Sequence, residues 1–224
     1  MGKLSSLLSK EPLTLIVRLP ENSAEMAEAA RSGGAHAVAM SIDPSQKDKK
    51  DVISIIKSLD IPVGITLENN IGAQELAGLV KLGVDFVDLP LAGARENPVK
   101  GPGFDRILAL GPDYNAIDLT RLSEGSCAGL DAAVILEEEW GRELTVGDLQ
   151  QYITIAMSTM LPVIVPAQKA IRISEVPIIW DTGAKGIMIG GNVTGDDPVS
   201  LKAVTAEFRA AIESLKNEYD HLKS

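Results

Sequence analysis

Eight short apolar segments, alternating with amphipathic stretches of helical period, constrain this 224-residue chain more than any other feature. They run Leu13–Leu19, Ala37–Ile42, Pro62–Glu68, Phe86–Leu91, Arg106–Leu110, Ala132–Glu137, Pro162–Val165 and Gly186–Gly190. Runs this short and this rich in Val, Ile, Leu and Ala read as strands covered on both faces. The stretches between them predict helices near 23–32, 49–59, 73–82, 116–123, 146–159, 174–182 and 198–219. Strands separated by helices pair in parallel, because each crossover returns the chain to the same end of the sheet.

Eight strand–helix units in a chain of this length predict an α/β fold, a single (β/α)8 TIM barrel spanning 1–224. Residues 1–11 read as a lead-in and 216–224 as a frayed, charged helix end. The segment AGARENPVKGPGFD at 92–105 is too rich in glycine and proline for a helix, so a loop replaces one crossover there. Aromatic residues make up only 4% of the chain, so aliphatic side chains must fill the core.

The formal net charge of −10 argues against a nucleic-acid or anionic-membrane partner, since either needs a basic surface. No apolar run approaches the ~20 residues of a membrane span. Cys127 is alone and cannot form an intrachain disulfide. The N-terminal apolar stretch is too short for a secretory signal. These features predict a cytoplasmic protein, and a homodimer is expected by analogy with small barrels.

Alternation along each strand sorts interior from exterior residues. Ala37, Ala39 and Ser41 form the small series of the second strand and should face inward. The same parity points Thr14, Ile16 and Arg18 inward, with Gly64, Thr66 and Glu68, Phe86, Asp88 and Pro90, Ala133, Ile135 and Glu137, and Met188 and Gly190. The polar members gather at the C-terminal strand ends, where barrel enzymes carry their active sites. Glu68 and Asp88 are therefore the candidate acid/base residues, with Arg18 holding an anionic group. Ser41, Gln168 and Lys169 lie at the same end and are candidate substrate contacts. Glu137 together with Glu68 and Asp88 would suit Mg²⁺, a hard ion that prefers oxygen ligands. A second reading has Arg18 simply pairing with a carboxylate to tie strands together.

Other chemistries are disfavoured. His36 opens a strand at the opposite end and His221 lies near the C-terminus, so one chain offers no histidine triad or three-histidine zinc site. No lysine lies inside a strand, against Schiff-base catalysis. GxGxxG after a strand, a P-loop, HExxH and paired CxxC are all absent. Few aromatics and limited length disfavour a glycosidase. Leu149, Ile153 and Met157, four apart, predict the buried face of a helix, and Trp140 could wall the mouth.

The segment Gly186–Ala211, with its turn GGNVTG and the Asp197-Pro198 helix start, resembles the last-strand phosphate loop of the ribulose-phosphate-binding and thiamin-phosphate-synthase-like barrels. That resemblance implies that Gly190, Gly191 and Asn192 offer backbone N–H groups, and Thr194 a hydroxyl, to a phosphate. Asp196 and Asp197 would repel an anion if they faced it, and Lys169 and Arg172 would offset them. The expected function is an enzyme acting on a small phosphorylated metabolite, of isomerase, lyase or synthase type. The alternative is a non-catalytic barrel that binds an anionic ligand or a protein partner.

Overall fold

The structure is a computed structural model that describes residues 2–42, 50–69, 71–91, 104–115, 119, 122 and 127–223. Its strands are β1 (Thr14–Arg18), β2 (Ala37–Ser41), β3 (Val63–Thr66), β4 (Phe86–Pro90), β5 (Asp105–Ala109), β6 (Gly129–Asp131), β7 (Val163–Val165) and β8 (Gly186–Ile189). Each pairs in parallel with the next, and β8 pairs with β1 through Thr14–Gly186 and Ile16–Met188, closing an eight-stranded barrel. The helices are α1 (Lys3–Lys10), α2 (Ala24–Ser32), α3 (Lys50–Ser58), α4 (Ala73–Leu82), α5 (Val146–Met157), α6 (Val176–Asp181), α7 (Gly191–Thr194) and α8 (Pro198–Lys223). Most of the expected loop at 92–105 lies outside the described residues.

Two apolar clusters divide the core. Val17, Val38, Met40, Ile65, Val87, Leu108, Leu130, Val165 and Ile187 pack outward beneath the helices. Ile16, Ala37, Ala39, Phe86, Ile107, Ile164 and Met188 fill the barrel interior. Small residues on β2 and β3 make room there for Phe86, the one interior aromatic among the described residues. A Cβ on Gly64 would sit 2.2 Å from the Phe86 ring. Gly64→Ala should therefore cost about 1–3 kcal/mol by overpacking, measured by urea denaturation. Adding Phe86→Leu should restore part of the loss, and an additive double mutant would refute the clash.

The segment read as a lead-in is helix α1, and it closes the floor of the barrel. Leu4 and Leu8 are buried and join the interior cluster. The interior carboxylate Asp105, at the start of β5, caps this plug by accepting from Ser5 N–H at 2.8 Å. Gly2 packs against the same carboxylate so closely that a Cβ would lie 2.3 Å from it. His36 lies at this floor end, as its place at the start of β2 requires. Its Nδ1 accepts from Leu15 N–H at 2.8 Å. Burial lowers its pKa to about 4, so the ring is neutral at physiological pH.

The sixth strand differs from the sequence expectation. It is Gly129–Asp131, not Ala132–Glu137. The apolar run Ala132–Ile135 has left the sheet apart from Ala132 N–H, which still donates to Ile164 O at 2.9 Å. An aspartate in a three-residue strand carries no strand signal, whereas AAVIL does.

Candidate functional site

Asp88, in the middle of β4, and Asp131, at the end of β6, both point into the barrel, and both are 4% exposed. They come from strands two apart, and their side chains hydrogen-bond to each other. Burial pushes the Asp88 pKa up to about 6, against the lowering effects of the Asp131 hydrogen bond and the Arg18 charge. Asp131 is driven further up, first by burial and then by the charge and hydrogen bond of Asp88. Two like charges at contact in a dry interior cannot both form, so the pair holds one proton near neutral pH. One oxygen of each, Oδ1, is buried with no hydrogen-bond partner among the described residues.

Arg18, at the end of β1, supplies the positive field at this pair. It is only partly buried, so its head can meet a ligand at the mouth. Gly190 makes space for it: a Cβ there would lie 3.5 Å from Arg18 Nε and 3.3 Å from Ala167 Cβ. The glycine after β8 thus has a packing reason as well as any loop role.

The remaining sequence candidates divide. Ser41 is exposed at the end of β2, with its hydroxyl 3.1 Å from that of Thr66 on β3. Glu68 lies past the end of β3 and is exposed. Glu137 sits in an exposed 3₁₀ turn, Glu137–Glu139, six residues beyond β6, because the strand ends earlier than expected. Among the described residues, no group of three or more His, Cys, Asp or Glu is placed to hold a metal ion, so the structure does not gather Glu68, Asp88 and Glu137.

Gln168 and Lys169 hold loops together. The Gln168 side chain accepts from Ile135 N–H at 3.2 Å and donates to Ile135 O at 3.3 Å. Lys169 is 2% exposed, with Nζ 3.2 Å from Asp148 and 3.6 Å from Glu139. Arg172 pairs with Glu143. Both cations are paired with these carboxylates, so the expected compensation of Asp196 and Asp197 by Lys169 and Arg172 is not what the structure forms.

At the turn itself, Thr194 is buried and its hydroxyl lies 3.2 Å from Gly190 O and 3.1 Å from Gly195 O, which share its one proton. Asn192 donates its side-chain amide to Lys169 O at 3.0 Å. Asp197 caps α8, accepting from Val199 and Ser200 N–H at 3.0 Å. Asp196 lies against Gly191, where a Cβ would be 2.8 Å from its Oδ1. The donors left for an anion are the N–H groups of Gly191 and Asn192, since those of Val193 and Thr194 already donate to Gly190 O at 2.8 and 2.9 Å. Asp131 is the residue that sequence reasoning missed. An aspartate after an apolar pair, two strands from another inward aspartate, was the available signal.

No protein-family model and no curated protein matches this chain by sequence. Solved structures do match in fold. Tryptophan synthase from Mycobacterium tuberculosis aligns at 16% identity and TM-score 0.72, covering 94% of this chain and 98% of that one. Thiamine phosphate pyrophosphorylase from Pyrococcus furiosus aligns at 16% identity and TM-score 0.62, covering 91% and 97%. N-(5'-phosphoribosyl)anthranilate isomerase from the same organism aligns at 16% identity and TM-score 0.61, covering 88% and 99%. At these identities the likeness is one of fold, and it bears out the single (β/α)8 barrel expected from the alternation of strands and helices.

Proposed function

We propose that this barrel is an enzyme that moves a proton on a small phosphorylated metabolite, in an isomerase, lyase or synthase reaction. The observation that carries the reading is the proton-sharing Asp88–Asp131 pair, buried at the C-terminal half of the barrel beside Arg18. A buried pair holding one proton contains a base and an acid at once. The Asp88 carboxylate accepts a proton from the substrate, while Asp131 O–H donates to a neighbouring oxygen or nitrogen. Arg18 and the N–H groups of Gly191 and Asn192 are assigned to the anionic group. Two of the fold neighbours, the thiamine phosphate pyrophosphorylase and the N-(5'-phosphoribosyl)anthranilate isomerase, are named for phosphorylated compounds, which supports this choice of substrate class.

A thermal-shift screen of phosphorylated metabolites, with and without Mg²⁺, tests the reading. At a hundredfold excess over Kd a true ligand stabilises by about 2.7 kcal/mol, a rise of roughly 5–10 °C in a chain this size. Arg18→Gln should abolish the shift, while Asp88→Asn should keep binding and lose turnover. The rate should rise with pH through about 6, where Asp88 loses its proton. If no phosphorylated compound moves the melting temperature, the proposal is wrong. A shift without turnover of any hit would favour the non-catalytic alternative.

A further inference from the structure

Helix α5 turns an apolar seam to solvent. Val146, Ile153 and Met157 are 71%, 39% and 83% exposed, and Met160, just past the helix end, is 87% exposed. At about 100° per residue these positions fall in a stripe roughly 60° wide. Its exposed flanks are Gln150, Gln151 and Thr154, none of them charged. Asp148, the one charged residue of the helix, is buried against Lys169. In a chain of net charge −10, such a face is where two copies meet with least repulsion. Helix α6 widens it: Ile178 is 47% exposed, and a Cβ on Gly183, just after α6, would lie 3.3 Å from Ala156 of α5.

We propose that this face is a homodimer interface in which α5 packs antiparallel against a second copy, with Ile153 at the two-fold axis. The seam is self-complementary in that sense only. Its first turn carries the short Val146 beside Gly147, and its last carries the long Met157 and Met160. Antiparallel pairing about Ile153 sets Val146 of one copy against Met160 of the other, and Leu149 against Met157. Short Val146 then meets long Met160 at both ends of the contact, and flexible methionines fill the gaps. Parallel pairing would crowd methionines at one end and leave a space at the other. Antiparallel helices also set opposite dipole ends together. The arrangement is isologous, as a closed two-fold dimer requires. A stable interface needs about 800 Å² per partner, more than one helix face supplies, so the α6 surface around Ile178 belongs to it.

Sedimentation velocity of the full chain, from about 1 to 100 µM, tests the proposal. The expected species has twice the 23.7 kDa chain mass, and Ile153→Glu, which places two like charges at the axis, should return it to the single-chain mass. A wild type that stays at the single-chain mass throughout, or an Ile153→Glu variant that stays double, overturns it. Should that variant misfold, Ile153→Cys with Cys127→Ser decides by mild oxidation. A covalent dimer supports the two-fold at Ile153, and its absence overturns it.

Discussion

Asp131→Asn should abolish turnover and, above pH 6, raise the melting temperature. The loss of rate should be about 10²–10⁴-fold, the usual worth of a positioned acid or base. The gain in stability follows from linkage. Asp88 titrates near 6 in the folded chain against 3.8 when exposed, and Asp131 is shifted the same way. A carboxyl whose folded pKa is raised keeps its proton longer in the native state than in the unfolded one. Above about pH 4 the native state therefore binds more protons than the unfolded one, and stability falls as pH rises, through about 6 for Asp88 and on beyond it for Asp131. Above pH 6 the chain carries a buried charge on Asp88 beside the second buried carboxyl of Asp131.

Asparagine at 131 removes one of the two acids, yet its amide N–H can still donate to Asp88. We expect a gain of about 0.5–2 kcal/mol at pH 8, or roughly 1–8 °C, with little change at pH 3.5. The variant's melting curves across pH 3.5–8, set beside its rates on the screened substrate, provide the check. A variant that is less stable at pH 8, or that retains turnover within tenfold, would falsify the assignment of Asp131 as the strained acid of the pair.

Lys169→Met should be the most destabilising single change at the mouth. The ammonium is 2% exposed and lies 3.2 Å from Asp148, itself 8% exposed. Removing one partner of a buried pair leaves the other charge uncompensated, typically costing 3–5 kcal/mol, or a fall of roughly 6–20 °C. Glu139, whose side chain is 38% exposed, can rehydrate and adds little. Asp148 has a second duty, closing the N-terminus of α5 by accepting from Thr145 N–H and Oγ1–H, both at 2.8 Å. The control is thus Lys169→Met with Asp148→Asn, because asparagine keeps an acceptor for the cap while shedding the charge. That double variant should recover more than half of the loss in urea denaturation. A single variant within 1 kcal/mol of wild type would show that the pair is not desolvated as its burial implies.

Lys169 also shows where reading the chain stops. From sequence it is a lysine just past a strand at the catalytic end, and any such lysine is free to face the mouth. Its direction was settled by Asp148, twenty-one residues earlier on another helix. The stripe Leu149, Ile153, Met157 failed for a related reason. Apolar residues surround α5 on more than one side, and the buried side is the one with Asp148, Tyr152 and Ile155. Periodicity finds apolar stripes, but it cannot choose between two of them when the deciding contact is a buried ion pair.

The barrel was legible because its strands repeat one physical rule. Ala37 and Ala39 alternate with Val38 and Met40, and Ile16 and Met188 with Val17 and Ile187, since only small or matched side chains fit inside while bulky ones seat the helices. Asp88 and Arg18 followed from the same parity. Asp131 and Glu137 did not, because a three-residue strand is defined by its neighbours' hydrogen bonds and not by its own composition. The sequence by itself therefore determined the eight-stranded closure and the end of the barrel that carries polar groups. The tertiary structure alone decided which carboxylates share a proton, which lysine is spent on a loop, and which face of α5 meets solvent. Strand and helix period depend on residues close along the chain, whereas a pKa or a buried pair depends on groups that only folding brings within a few ångströms.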